Sequence, residues 1–249
     1  MLSLYENNEH KNILYNELTS GAMVQANQHI IIHKDEAMIL DPGGHKVYPK
    51  LLSEVGKVIS TSKIKYIFFS HQDPDIVAAA NGWLMVTDAK AYITGLWTRF
   101  IPHFGVDDYL VDRLVPIQDN GGSVNLGGVE ITFIPAHFLH SPGNFQVYDP
   151  VSKILYSGDL GASLGPDKIF VDNFEEHIKY MEAFHKRYIA SNKVLRVWVD
   201  LVRTLDIETI APQHGAIIKG KENVNKFYDW LYNLQCGVDL ISTGYNFAL

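Results

Sequence analysis

The chain has 249 residues, 47% hydrophobic and 20% charged, and its formal net charge of −7 is spread without long acidic or basic blocks. That length holds one large domain or two small ones around a full core, and the dispersed negative charge argues against a nucleic-acid surface. Cys236 is the only cysteine, so an internal disulfide and a thiolate cluster are excluded and any metal must be held by nitrogen and oxygen.

Residues 1–6 carry no basic segment leading into a long apolar core, and no stretch reaches the length of a membrane span, so a cytoplasmic protein without membrane insertion is expected. Residues 28–33 and 37–40 are short apolar runs on either side of Lys34-Asp35-Glu36, which predicts a hairpin. The second run ends in Asp41-Pro42-Gly43-Gly44. The glycines free the backbone there, and Asp41 either orients ligands through hydrogen bonds or is a turn residue. His45 comes next, where it could line a pocket. Val47, Leu51, Leu52, Val55, Val58 and Ile59 have helical spacing and lead into a strand over 65–69.

That strand stops at Ser70-His71-Gln72-Asp73-Pro74-Asp75-Ile76. His71, Asp73 and Asp75 fall at alternate positions and Pro74 works against an ordinary helix through the motif, so an imidazole and two carboxylates can converge on ions from a rigid strand end. Alone, the triplet is also a plausible turn, because Asp and Pro are common turn residues. Residues 77–86 are small and apolar, with Ala78-Ala79-Ala80 permitting close packing, and 89–94 reads as the next strand. Between 95 and 116, Trp97, Phe100, Phe104 and Tyr109 lie among charges, as in an insertion over a sheet edge.

Gly121-Gly122 and Gly127-Gly128 bracket a hairpin that ends in a strand over 129–134. Pro135-Ala136-His137-Phe138-Leu139-His140-Ser141-Pro142-Gly143-Asn144 follows, and 145–149 resumes an extended pattern. Ile154-Leu155-Tyr156-Ser157-Gly158-Asp159 again delivers a carboxylate from a short apolar strand. Residues 173–190 and 192–205 predict two amphipathic helices, 207–211 a strand ending at Pro212-Gln213-His214-Gly215, and 221–234 a closing helix. No repeat or low-complexity linker divides the chain, so one domain over 1–249 is expected. His10, His29, His33, His103, His177 and His185 fall on hairpin, insertion or helix segments where a solvent-facing histidine is the usual reading, and Cys236 reads as structural.

Taken in order, Asp41 with its glycines, His71-Gln72-Asp73-Pro74-Asp75, His140-Ser141-Pro142-Gly143-Asn144, Ser157-Gly158-Asp159 and Pro212-Gln213-His214-Gly215 resemble the successive ligand motifs of the metallo-β-lactamase fold, over almost the whole chain. The resemblance implies an α/β protein, a four-layer αβ/βα sandwich of two mixed sheets with the site at one edge. Hydrolytic members show His-x-His-x-Asp-His in the first motif, a set that suits zinc. Here Asp73 stands at the second of those histidines, which hardens the site toward iron or manganese and is similar to the flavodiiron proteins, where a Glu is typical. That likeness implies one iron held by His71, Asp73 and His140, a second by Asp75 and His214, and Asp159 as the bridge. His137 is left over: it could coordinate if its loop shifts by one turn, and otherwise reads as a structural histidine or one that orients a ligand.

Ile76 occupies the place of the motif's final His, so the second iron would be short of a nitrogen and open to a gas. The flavodoxin domain of flavodiiron enzymes has no counterpart in these 249 residues, so no flavin is expected within them. Both departures resemble the stand-alone oxygen-binding diiron proteins of bacterial chemotaxis. What that resemblance implies is two iron ions, dioxygen or peroxide as ligand, a lasting diferric-peroxo adduct shielded by buried residues such as Ile76 and Phe138, and an oxygen sensor rather than a turnover enzyme. Its partners would be chemotaxis signalling proteins, with residues 96–109 and the helix pair after Asn173 as candidate output surfaces, and a homodimer follows by analogy with flavodiiron proteins. The alternatives are a flavodiiron-like reductase of O2 or NO fed by an external donor, and a metal-dependent hydrolase.

Overall fold

The computed structural model describes residues 1–165 and 168–241. Its central strands are short runs buried on both faces, which is why their sequences show little alternation, whereas the outer strands keep one face partly in solvent. The first sheet contains β1 (Leu2–Glu6), β2 (His10–Tyr15), β3 (Gln28–His33), β4 (Glu36–Leu40), β5 (Ile64–Phe68), β6 (Lys90–Thr94) and β7 (Leu114–Ile117), lying side by side in chain order. Pairing is antiparallel from β1 to β4 and parallel from β4 to β7. The second sheet contains β8 (Gly122–Leu126), β9 (Val129–Pro135), β10 (Phe145–Asp149), β11 (Ile154–Gly158), β12 (Thr209–Pro212) and β13 (Ile218–Lys219). Only β11 and β12 pair in parallel there, so both sheets are mixed.

The helices are α1 (Tyr48–Val55), α2 (Pro74–Val77), α3 (Ala80–Val86), α4 (Phe174–Tyr188), α5 (Asn192–Val202) and α6 (Lys221–Asn233). Successive strand residues point to opposite faces, and each sheet splits its apolar residues accordingly. Ile30, Ile39 and Ile67 pack with Leu51, Val77 and Trp83 of α1 to α3. Their neighbours Ile31, Met38 and Phe68 pack with Phe133, Val147 and Tyr156 of the second sheet, where Phe68 stacks on Phe133 at 5.5 Å between centroids. Leu155 and Ile210 face away, onto Met181, Trp198 and Phe227 of α4 to α6. The result is helix, sheet, sheet, helix, the α/β four-layer sandwich expected of the metallo-β-lactamase fold.

Several sequence expectations need correction. Residues 2–15 form the strand pair β1 and β2, for which no element was expected. Residues 95–116 are only partly an insertion: 3-10 turns at Thr98–Phe104 and Asp108–Arg113 lead into β7, which extends the sheet edge. Pro74 does not keep the motif out of a helix but starts one, because a proline at the first helical position gives up an amide that would have no partner anyway. Asp73 is the residue before that helix and Asp75 lies in its first turn.

Five of the histidines assigned to solvent are buried: His10 (1% exposed), His29 (4%), His33 (7%), His177 (6%) and His185 (0%). His103 is exposed as expected. His29 and His33 sit on the face of β3 that meets the second sheet, so a strand position that looked like an outer face is covered by the opposite layer. Phe138, expected to be buried, is 47% exposed, whereas Ile76 is fully buried in the core under α1 to α3.

Candidate metal centre

One rim of the sandwich collects the ends of β4, β5, β9, β11 and β12, and each end passes directly into a segment bearing Asp41, His71, His140, Asp159 or His214. The rigid strands fix where these side chains start. At the end of β5, His71 Nδ1 pairs with Ser70 Oγ at 3.0 Å, which leaves Nε2 facing the rim. Asp41 takes φ 47° and accepts the Ser70 amide at 2.7 Å. It therefore orients the His71 loop from behind, the ligand-orienting reading rather than the plain turn; burial pushes its carboxyl up to about 6.

His71 Nε2 lies 3.2 Å from His140 Nε2, and each is 3.5 Å from Asp73 Oδ2. Asp159 Oδ2 completes this group, 3.1 Å from His140 Nε2 and 3.8 Å from His71 Nε2. The other oxygen of the same carboxylate, Oδ1, is 3.5 Å from His214 Nε2, which is 3.4 Å from Asp75 Oδ2. All six expected side chains thus converge, sorted into two groups that share Asp159. Oδ1 of Asp159 is buried and has no hydrogen-bond donor among the described residues, an orphaned anionic atom in a site lined with lone pairs. Three carboxylates and three imidazoles without a thiolate form a nitrogen and oxygen set suited to iron or manganese.

The field of this cluster is visible in its proton affinities. Burial works against charge on His140, but the Asp159 and Asp73 carboxylates outweigh it and raise the imidazole to about 9. Burial likewise opposes the charge of Asp73 and Asp159, yet the neighbouring imidazoles hold both carboxyls below the usual carboxylate range. Asp75 is raised, chiefly by burial. Such a field favours cations, and an ion entering it would displace imidazole protons.

The supporting contacts are less legible in the sequence. His214 Nδ1 donates to the Gln25 carbonyl at 2.6 Å, and the Gly215 amide donates to Gln25 Oε1 at 2.7 Å. Asn27 Nδ2 reaches the carbonyls of Pro212 and Gly215 at 2.8 and 2.9 Å, so residues 25–27 clasp the His214 turn. Gln72 accepts from Ser141, which accepts from the Trp97 indole, tying the first motif to the His140 loop. The rings of Phe184 and Tyr188 stand edge-on to His140. No sequence pattern marks these residues; each was findable only as the partner of a ligand's second nitrogen or ring face. His137 is apart from the site, its Nε2 donating to the Asp119 carbonyl at 2.7 Å, and is structural. His45 is exposed and has no bond to the site among the described residues.

A family model described as ODP family beta lactamase matches residues 24–215. The chain belongs to the ODP family. A structure of the peroxy diiron species of the chemotaxis sensor ODP is 46% identical and covers 96% of this chain and 97% of its own, with a TM-score of 0.87. The apo state of the chemotaxis sensor ODP from T. denticola is 44% identical, covers 96% of each chain and has a TM-score of 0.86. The rubredoxin oxygen:oxidoreductase of Desulfovibrio gigas shares the fold at 16% identity, over 93% of this chain and 61% of its own, with a TM-score of 0.77. An uncharacterized protein of Methanocaldococcus jannaschii is 26% identical over 82% of this chain and 52% of its own. The chain spans about half the length of such curated relatives. ODP membership agrees with the resemblance to stand-alone oxygen-binding diiron proteins for which Ile76 in the first motif was one of the two grounds, and the flavodiiron likeness holds at the level of fold. Among the described residues, no helix is long and apolar enough to cross a membrane.

Proposed function

We propose that this protein is a non-haem diiron oxygen-binding protein that acts as an oxygen sensor in signalling. His71, Asp73 and His140 hold one iron, Asp75 and His214 the other, and Asp159 bridges them. The observation that carries this reading is the split of Asp159, with Oδ2 turned to His71 and His140 and Oδ1 turned to His214. Two ferrous ions supply two electrons to dioxygen when bound there. The residues do the rest: six side chains fix the ions, the Ser70 and Gln25 contacts fix two of the imidazoles, and Ile76 leaves the Asp75 and His214 group without a further nitrogen. Three carboxylates against two divalent ions leave one positive charge, which favours a ligand that takes on negative charge.

Support also comes from the ODP relatives, whose structures are described as a chemotaxis sensor and, in one case, as a peroxy diiron species. A chemotaxis role, signalling partners, a homodimer, a cytoplasmic location and action as one domain over the whole chain extend the proposal. Anaerobically purified protein should hold about two irons per chain, and its ferrous form should take up O2 to give a coloured species that lasts without a reductant. Colourless protein carrying stoichiometric zinc overturns the reading, and sustained O2 or NO consumption with an added donor selects a reductase instead.

A further inference from the structure

We propose that one stretch of α4, carrying Phe184, His185 and Tyr188, is a brace that positions both the bridging Asp159 and His140. The inference rests on the diiron reading and adds residues that touch no ion. His185 is fully buried; its Nδ1 donates to the Met181 carbonyl at 2.8 Å, so Nε2 is left as an acceptor. That nitrogen takes the Gly161 amide at 2.9 Å. Gly161, at φ 94°, lies two residues beyond Asp159 in a turn closed by Ser157 Oγ to the Leu160 carbonyl and by the Ala162 amide to the Asp159 carbonyl. The Ser163 amide then donates to the His214 carbonyl at 3.2 Å, so the same turn is continuous with the His214 segment.

The neighbouring residues of α4 hold the other side of the site. Phe184 and Tyr188 stack at 4.8 Å between centroids, and the His140 ring stands edge-on to both, at 6.0 and 5.7 Å. His140 comes from a loop after β9 and Asp159 from a turn after β11, and this part of α4 touches both segments. A buried leucine at 185 would fill the space but leave the Gly161 amide without an acceptor, free to swing the turn that aims Asp159. A glutamine would keep an acceptor oxygen.

The test measures Fe(II) affinity anaerobically by chelator competition and records the visible spectrum of the Co(II)-loaded protein, for the unsubstituted chain, His185→Leu, His185→Gln, Phe184→Leu and Tyr188→Ala. His185→Leu is expected to weaken binding of both ions about tenfold or more and to shift the Co(II) bands, with His185→Gln within about threefold of the unsubstituted protein. Tyr188 is 56% exposed, so Tyr188→Ala should leave the melting temperature unchanged while weakening the ion near His140 several-fold. The proposal is overturned if folded His185→Leu binds both ions as tightly as the unsubstituted chain with the same spectrum, even at a lower melting temperature. Should His185→Leu fail to fold, Phe184→Leu and Tyr188→Ala decide: unchanged affinity in both overturns the brace. An unsubstituted chain that takes up fewer than two ions overturns the diiron reading itself, and the brace falls with it.

Discussion

In the proposed diiron centre Asp159 is the residue on which the ion pair turns, because its two oxygens face two different groups. Asp159→Ala should therefore take the metal content from about two ions to none, whereas His214→Ala should leave about one, counted by elemental analysis of freshly loaded protein. The motif residues were legible because each candidate ligand lies in the segment that follows an apolar strand. The buried histidines were not, since a histidine at a strand position gives no sign of whether another layer covers it. Burial lowers four of them, His33 and His177 as well as His29 and His185, and brings His29 to about 3 and His185 to about 4. Between those values and the free imidazole value near 6.5 the unfolded chain takes up protons that the fold refuses, so stability falls as pH falls below about 6.5, by up to about 1.4 kcal/mol per unit for each. Urea unfolding at pH 7 and pH 5 should show that loss, and His29→Leu should flatten part of it.

At the scale of elements, the strands that deliver ligands were readable from their apolar runs and the glycines behind them, and α4, α5 and α6 from helical spacing. β1 and β2 were missed because His10, Lys11 and Asn12 interrupt any apolar run, although His10 and Asn12 are buried by the opposite sheet. β7 was hidden behind a stretch whose charges suggested solvent. The turn after β12 depends on a position that only glycine fills well: Gly215 has φ 79°, and a Cβ there would collide with Ser163. Gly215→Ala should therefore cost about 1–3 kcal/mol in urea unfolding and weaken the ion on the His214 side more than the ion near His140.

Across the whole molecule the two sheets meet through more than apolar contact. At the end of β10 away from the metal rim, buried Asp149 accepts from His10 Nε2 at 2.7 Å and Asn12 Nδ2 at 2.8 Å, both on the first sheet, and from Ser152 Oγ at 2.6 Å. Those donors hold its carboxyl low in spite of burial. Asp149→Ala leaves the buried His10 Nε2 without its acceptor and takes one of two acceptors from Asn12 Nδ2, which keeps Tyr156 Oη, and thermal or urea unfolding should show a loss of about 1–3 kcal/mol. This polar strut had no sequence signature, because its members lie 137 and 139 positions apart.

The opposite rim divides its six side chains evenly: His71, Asp73 and Asp75 extend from the first sheet, and His140, Asp159 and His214 from the second. On the proposed ligand set, ions seated between them would act as rivets through two plates, so that unfolding could not separate the plates without releasing the metal. Free Fe(II) at a hundred times its dissociation constant would then add about 2.7 kcal/mol per ion, and the melting temperature becomes a readout of how much iron surrounds the protein.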